Sequence, residues 1–225
     1  MKTIHILISG PIRPSINYLN HLIKIIKSFI NFETKLYLCY WNEININNNL
    51  IKNIDYFFPE IEPNNNFLFQ IIKSRTIQQQ ESKLEDWTPR MFKMFYGIKL
   101  MIDNINFNKL IHNNDIILRV RTDLFIDSCV ISSLHQLLNN INSNSYYLCP
   151  RMSGNNSCDW FGISTFEIFK KIWYFNNINE YNKIIQNVYN AESIIKYKSN
   201  LFNIKFVNIN HIFKIGICRN FNDEN

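Results

Sequence analysis

Residues 115–127, DIILRVRTDLFID, constrain this chain more than any other segment. Ile116 to Val120 are apolar except for Arg119, a run that suits a β-strand covered on both faces. Such a strand belongs to a sheet with helices packed on each side. It ends in Arg121-Thr122-Asp123, which delivers a guanidinium and a carboxylate at its carboxyl end. Ligands of open α/β sheets bind outside the carboxyl ends of the strands. A carboxylate flanked by arginine there suits a divalent cation and a diphosphate better than it suits packing.

The rest of the chain alternates between strand-like and helix-like segments. TIHILIS, 3–9, predicts a first strand that breaks at Gly10-Pro11. Pro14-Ser15 opens a helix to about Phe29, with apolar residues at Ile16, Leu19, Leu22, Ile23, Ile26 and Phe29. TKLYLCYW, 34–41, is a second strand, and the short crossover implies parallel pairing. A short helix over 49–57, a strand near 67–72 and a polar loop over 73–86 come next. A long helix then runs from Thr88-Pro89 to about Asn104, with Thr88 as its cap and Pro89 in its first position. After the strand at 115–121 come a helix at 130–140, strands at 145–149 and 159–164, and helices at 165–176 and 190–200. A strand at 203–209 and a final piece near 211–219 complete the chain. The pattern predicts a single α/β domain over 1–225, with a mixed, mostly parallel, Rossmann-like sheet and helices on both faces.

The chain's 225 residues suffice for one well-cored domain. Its net charge of +6 is carried by scattered Lys and Arg, with no block of five like charges, so no nucleic-acid partner is expected. The five cysteines are odd in number and widely spaced, which suits free thiols in a reducing, cytoplasmic setting. Met1-Lys2 leads directly into a strand, and no apolar run approaches the roughly 20 residues of a bilayer span. The heavy use of Asn and Ile reflects AT-rich coding of the kind seen in some microbes and large DNA viruses.

Four segments in order resemble the glycosyltransferases related to the WavE lipopolysaccharide-synthesis family, which have a GT-A-like fold. They are ILISGPIRPSINYLNHLIKII at 6–26, Trp41 closing the second strand, Trp-x-x-Arg-Met at 87–91 ahead of RVRTDLFI, and DWFGIS at 159–164 with Ala191-Glu192 beyond it. The resemblance implies sugar transfer from a nucleotide-sugar donor, UDP- or GDP-linked, to a glycan or polysaccharide acceptor. It also implies a divalent cation, Mn or Mg, on the donor diphosphate. GT-A domains usually present Asp-x-Asp to that cation. Arg121-Thr122-Asp123 has one carboxylate where the motif has two, and Asp127 follows four residues on. The departure leaves room for a non-catalytic nucleotide- or sugar-binding domain of the same fold.

Asp123 is the candidate metal ligand; its plainer alternative is a strand-end carboxylate paired with Arg121. Arg121 itself supplies positive charge toward a diphosphate, which gains negative charge as it departs. Gly10 permits close backbone approach after the first strand, and Arg13 offers a bidentate phosphate contact, or the two form a plain turn. Trp41 stacks on a nucleobase or serves the core. Arg90 and Lys93, in the first turn of the long helix and one turn apart, oppose the helix dipole, so an anion nearby would explain them. Asp159, beside Trp160 and Phe161, is a candidate general base for an acceptor hydroxyl, or a turn residue. Glu192 is the second catalytic candidate, although a helix's first turn favours acids anyway. His211 lies near the C-terminal strand, where some GT-A enzymes place a third metal ligand; a lone histidine is more often structural.

Overall fold

The computed structural model describes residues 3–10, 12, 15–30, 32–41, 53–60, 87–149, 158–186, 188 and 190–217. The first strand, β1 (Thr3–Ser9), pairs in parallel with β2 (Glu33–Trp41) on one side and β4 (Ile116–Arg121) on the other. Helix α1 (Ile16–Phe29) makes the β1-to-β2 crossover. Ser15 caps it by accepting from the Tyr18 N–H at 3.1 Å, and Leu19, Leu22, Ile23 and Ile26 recur at helical spacing on its buried face.

Residues expected as part of a short helix over 49–57 instead enter an edge strand, β3 (Tyr56–Glu60), parallel to β2. Tyr56 stacks on Tyr37 at 4.7 Å, and the Asp55 carboxylate accepts from the Leu36 N–H at 2.7 Å. Three consecutive aromatic-rich positions favour a pleated surface, and Pro59 is tolerated because β3 has no outer partner among the described residues. The strand near 67–72 and the loop over 73–86 lie outside the described residues.

Helix α2 (Trp87–Phe107) leads to β4, starting one residue before the expected cap Thr88. Beyond β4 the chain turns at Thr122-Asp123 into β5 (Leu124–Cys129), which leaves the main sheet and pairs with β9 (Phe213–Ile217) in a second, two-stranded sheet. Between them come α3 (Ile131–Asn139), β6 (Ser145–Leu148), β7 (Phe161–Thr165), α4 (Phe166–Trp173), α5 (Ile178–Ile185), α6 (Ala191–Leu201) and β8 (Lys205–Asn208). Among the described residues the main sheet has seven strands, in the order β3-β2-β1-β4-β7-β6-β8. β7 runs antiparallel to both neighbours and the other six strands are mutually parallel.

Helix α5 has no counterpart in the sequence expectations. Its signature is nevertheless present: Asn177 accepts from the Glu180 N–H at 3.0 Å, with an acid three residues after the cap. Asn190 caps α6 in the same way, through the Ser193 N–H at 2.7 Å. Asn53 and Asn203 take left-handed turns at φ 67° and 52°. Part of the asparagine excess therefore sits where asparagine is structurally favoured.

Alternation along the strands splits the core in two. Ile4, Ile6, Ile8, Leu118 and Val120 face α1 and α3, while Leu7, Tyr37, Cys39 and Ile117 face α2, α4, α5 and α6. Both faces are covered, as the apolar run at 116–120 requires. The fold is α/β, mostly parallel, as expected. The four described cysteines are free thiols. No described helix is long and apolar enough to cross a membrane.

Candidate functional site

The parallel strands β1 and β4 end side by side, with Ser9 in register with Arg121. Gly10 follows at φ +127°, a conformation that a side chain resists, and its N–H donates to the Cys39 carbonyl at 3.4 Å. A Cβ on Gly10 would lie 3.4 Å from the Thr122 hydroxyl, so the turn after β1 rests on the turn after β4. Gly10 is therefore beside the Arg121-Thr122-Asp123 triplet, at the carboxyl edge where ligands of such sheets bind.

Because β7 is antiparallel, its beginning meets the end of β4. Val120 pairs with Phe161, and one step further the Arg121 N–H donates to the Trp160 carbonyl at 3.1 Å. This brings Asp159, 36 residues after Asp123 by the numbering, to the same guanidinium. Arg121 Nε donates to Asp123 Oδ1 at 2.9 Å and Nη2 to Oδ2 at 2.8 Å, a bidentate fork. Its remaining nitrogen, Nη1, is 3.5 Å from Asp159 Oδ2. Burial opposes the charge on Arg121, but the carboxylates, Asp123 foremost, outweigh it and hold its pKa above the ordinary arginine value. The guanidinium remains 29% exposed and each carboxylate 10%, so the cluster has one face open to a ligand.

Beneath this clamp lies a second arginine. Arg119 is two residues earlier on β4, on the same strand face, and is fully buried. Its guanidinium lies 4.2 Å over the Trp173 ring. Among the described residues, none of its three nitrogens has a hydrogen-bond partner, nor does the buried Asp159 Oδ1. Burial pushes the Arg119 pKa down to about 10, against the opposing pull of Tyr146 and Asp159, so it is charged at neutral pH. Trp173 is held in turn, its Nε1 donating to the Tyr146 hydroxyl at 3.0 Å. Tyr146 reaches that position across Gly162, the ladder partner of Arg119.

The structure thus brings together four of the residues singled out from the sequence: Gly10, Arg121, Asp123 and Asp159. The plainer expectation for Asp123, an ion pair with Arg121, is the geometry observed. Glu192 stands on another element, in the first turn of α6 after its Asn190 cap. Lys93 is half-buried in the second turn of α2 rather than the first, because the helix begins at Trp87. Arg90 lies in that helix and Trp41 closes β2, but their side chains, like all of Arg13, are outside the described residues. His211 is exposed in the turn before β9. In the β5–β9 ladder, Phe213 pairs with Cys129 and Ile217 with Leu124. His211 is therefore at the end remote from Asp123, and the third-ligand expectation does not fit.

Arg119 has no role in any motif that the sequence singles out. The signal was present, since a lone arginine inside a doubly covered apolar strand must be buried.

A cation of the Mg²⁺ or Mn²⁺ kind takes one or two carboxylates and completes its shell with substrate phosphates and water. Among the described residues, no three His, Cys, Asp or Glu side chains converge. Asp123, with Asp159 on the far side of one guanidinium, is a donor set of the right chemistry, and the unpartnered Asp159 Oδ1 leaves it coordination capacity. Both Asp123 oxygens are engaged by Arg121, so a cation would take the guanidinium's place. Away from this cluster, an apolar cavity of about 230 Å³ opens between α2 and α5, lined by Phe92, Phe95, Tyr96, Phe175, Ile178 and Tyr181. None of the clustered carboxylates or arginines lines it, so the charge chemistry belongs to the sheet edge.

No family model matches the chain, and no curated protein matches its sequence. Solved structures match it in fold. Against 4-diphosphocytidyl-2C-methyl-D-erythritol synthase the TM-score is 0.50 at 8% identity, over 92% of this chain and 90% of that one. Against the galactosyltransferase LgtC in complex with donor and acceptor sugar analogs it is 0.45 at 12% identity, over 88% and 70%. An active-site mutant of LgtC gives 0.48 at 12% identity over the same shares. The likeness to the synthase is one of fold, a GT-A-like domain of Rossmann type.

Proposed function

We propose that this chain is a glycosyltransferase that moves a sugar from a nucleotide-sugar donor to a glycan or polysaccharide acceptor. The observation that carries the reading is the Arg121–Asp123–Asp159 cluster at the carboxyl edge of β4, beside Gly10. The ordered motifs support a WavE-like assignment in particular, and the GT-A-like fold is compatible with it.

In this reading the donor diphosphate lies across the ends of β1 and β4. Gly10 lets the backbone approach it, and Arg121, freed from one carboxylate, donates to its oxygens. Arg13, Arg90 and Lys93 add positive charge, and Trp41 stacks on the base. Asp123 would hold a divalent cation there, whose chemistry is to neutralise charge developing on the leaving diphosphate. Asp159 meets the acceptor from the β7 side, orients its hydroxyl and takes its proton as the new glycosidic bond forms. Glu192 is the alternative base.

A thermal-shift screen of nucleoside diphosphates and nucleotide-sugars, each with and without Mn²⁺, tests this directly, since a ligand that binds only the folded state raises Tm. The expected result is a shift with one nucleotide, enhanced by Mn²⁺ and lost in Asp123→Ala, together with slow donor hydrolysis lost in Asp159→Asn. No shift with any nucleotide would sink the proposal. The engagement of both Asp123 oxygens by Arg121 favours a second reading, a non-catalytic nucleotide- or sugar-binding domain. Binding without any hydrolysis or transfer would select it.

A further inference from the structure

The main anomaly outside the proposed contacts is Arg119. A fully buried guanidinium with no hydrogen-bond partner among the described residues is costly, because its five N–H donors are left unpaired. The Trp173 face, 4.2 Å away, returns part of that cost by cation–π attraction. Of the groups that act on its charge, Tyr146 is held neutral by burial, Arg121 carries the same sign, and Asp159 carries the opposite one. Asp159 is therefore its one anionic counterpart among them. Asp159 in turn keeps one buried oxygen without a partner. The surroundings are built around this arginine: Gly162 is its ladder partner, Tyr146 fills the space that a side chain at Gly162 would take, and Tyr146 holds Trp173 flat beneath the guanidinium.

Arrangements that break a packing rule this openly are retained against stability, and functional sites are where such violations are expected. We propose that Arg119 is a positioning residue for Asp159: a buried counter-charge, kept at a cost to stability, that fixes the Asp159 carboxylate from beneath at the Arg121 clamp. Arg119 is fully buried, so it acts through Asp159 and does not touch a ligand. The proposal rests on the transferase reading for what Asp159 does, and for the coupling on Arg119 sharing a face of β4 with Arg121, which reaches Asp159 at 3.5 Å, and on the unpartnered buried atoms of both Arg119 and Asp159.

The test is a double-mutant set, wild type, Arg119→Met, Asp159→Asn and the pair, measured for Tm and for donor and acceptor kinetics, with Arg119→Lys as a charge-retaining control. Methionine fills similar apolar volume, removes the unpaired N–H donors and leaves Asp159 its ion pair with Arg121, so Arg119→Met is expected to leave Tm unchanged or raise it by a few degrees. Asp159→Asn is expected to lower Tm in the wild-type background, where it strands Arg119, and to do so much less with Met at 119. In turnover, Arg119→Met is expected to lower kcat about tenfold or more, with the donor KM held within about twofold. Arg119→Lys should recover part of the loss. A fall in Tm on Arg119→Met would make the arginine a structural residue and overturn the proposal. So would an Asp159→Asn cost that is equal in both backgrounds, or an unchanged kcat in an active enzyme. A wild type that binds no nucleotide and turns over nothing removes the transferase reading alone, since the Tm cycle still decides whether Arg119 and Asp159 are coupled.

Discussion

Gly162→Ala should be among the most damaging single-methyl additions in the protein. The added Cβ would lie 1.9 Å from the Tyr146 hydroxyl oxygen, 2.2 Å from Cζ and 2.8 Å from Cε1. Non-bonded heavy atoms sit comfortably at about 3.5–4.0 Å, so the ring must retreat by roughly 1.5 Å. It has nowhere to go: Tyr146 is fully buried, its hydroxyl accepts from Trp173, and Trp173 is wedged between Phe95 at 5.2 Å and Arg119 at 4.2 Å. Overpacking usually costs about 1–3 kcal/mol, and an overlap this deep against a braced ring should cost about 4 kcal/mol. Tyr146→Ala alone should cost about 4 kcal/mol for the lost ring and about 1 kcal/mol for the orphaned Trp173 N–H. In the double variant the added methyl meets empty space, so it should be no less stable than Tyr146→Ala. The coupling between the sites would then be about 3 kcal/mol or more. Urea unfolding followed by tryptophan fluorescence measures all four proteins. If Gly162→Ala lies within about 1 kcal/mol of wild type, or if the two costs add within about 0.5 kcal/mol, the steric argument is wrong. The shelf that carries Arg119 would then also be softer than described.

Other outcomes follow from the same geometry. Lys198 is buried, with its ammonium 4.0 Å over the Phe175 ring, donating to the Tyr174 carbonyl and 3.6 Å from Glu180. Burial lowers its pKa from 10.5 to about 8, so the folded state carries the full cost of the charge below pH 8, about 3 kcal/mol. Between about pH 8 and 10.5 the unfolded chain holds the extra proton, so this lysine's contribution to stability rises with pH there. Lys198→Met should be the more stable protein at pH 7, with its advantage narrowing toward pH 10.5; a pH-independent difference in denaturant midpoints would count against this. Gly10→Ala should cost about 1–3 kcal/mol through its positive φ rather than through contact, and a Tm equal to wild type would remove Gly10 from the argument. Arg121→Met should lower Tm at neutral pH by stranding two carboxylates, and Mn²⁺ should then raise Tm more than it does in wild type. Equal Mn²⁺ shifts in the two proteins would mean that the guanidinium does not stand in the cation's place.

Local pattern was sufficient for most of the scaffold. The apolar run around Ile117, the helical spacing of Leu19, Leu22, Ile23 and Ile26, and the short link between β1 and β2 report burial and chirality, which a few neighbouring residues decide. Arg121 and Asp123 were legible for the same reason, since a strand that ends in polar groups must present them at an edge. The segment around Tyr56 misled because a short apolar stretch beside asparagines has no length over which helix and strand periods separate.

The chain's own order of residues determined an α/β sheet covered on both faces, with charged groups at the end of β4. Only the tertiary structure decided what those groups do to one another. Reversal of β7 carried Asp159 to Arg121, and its register set Gly162 opposite Arg119 and let Tyr146 and Trp173 close beneath it. Departure of β5 to pair with β9 left Asp123 at the turn and put His211 at the far end. Periodicity records how deeply each side chain is buried. Strand order, direction and register depend on contacts between residues far apart in sequence, and those contacts decide which charges meet.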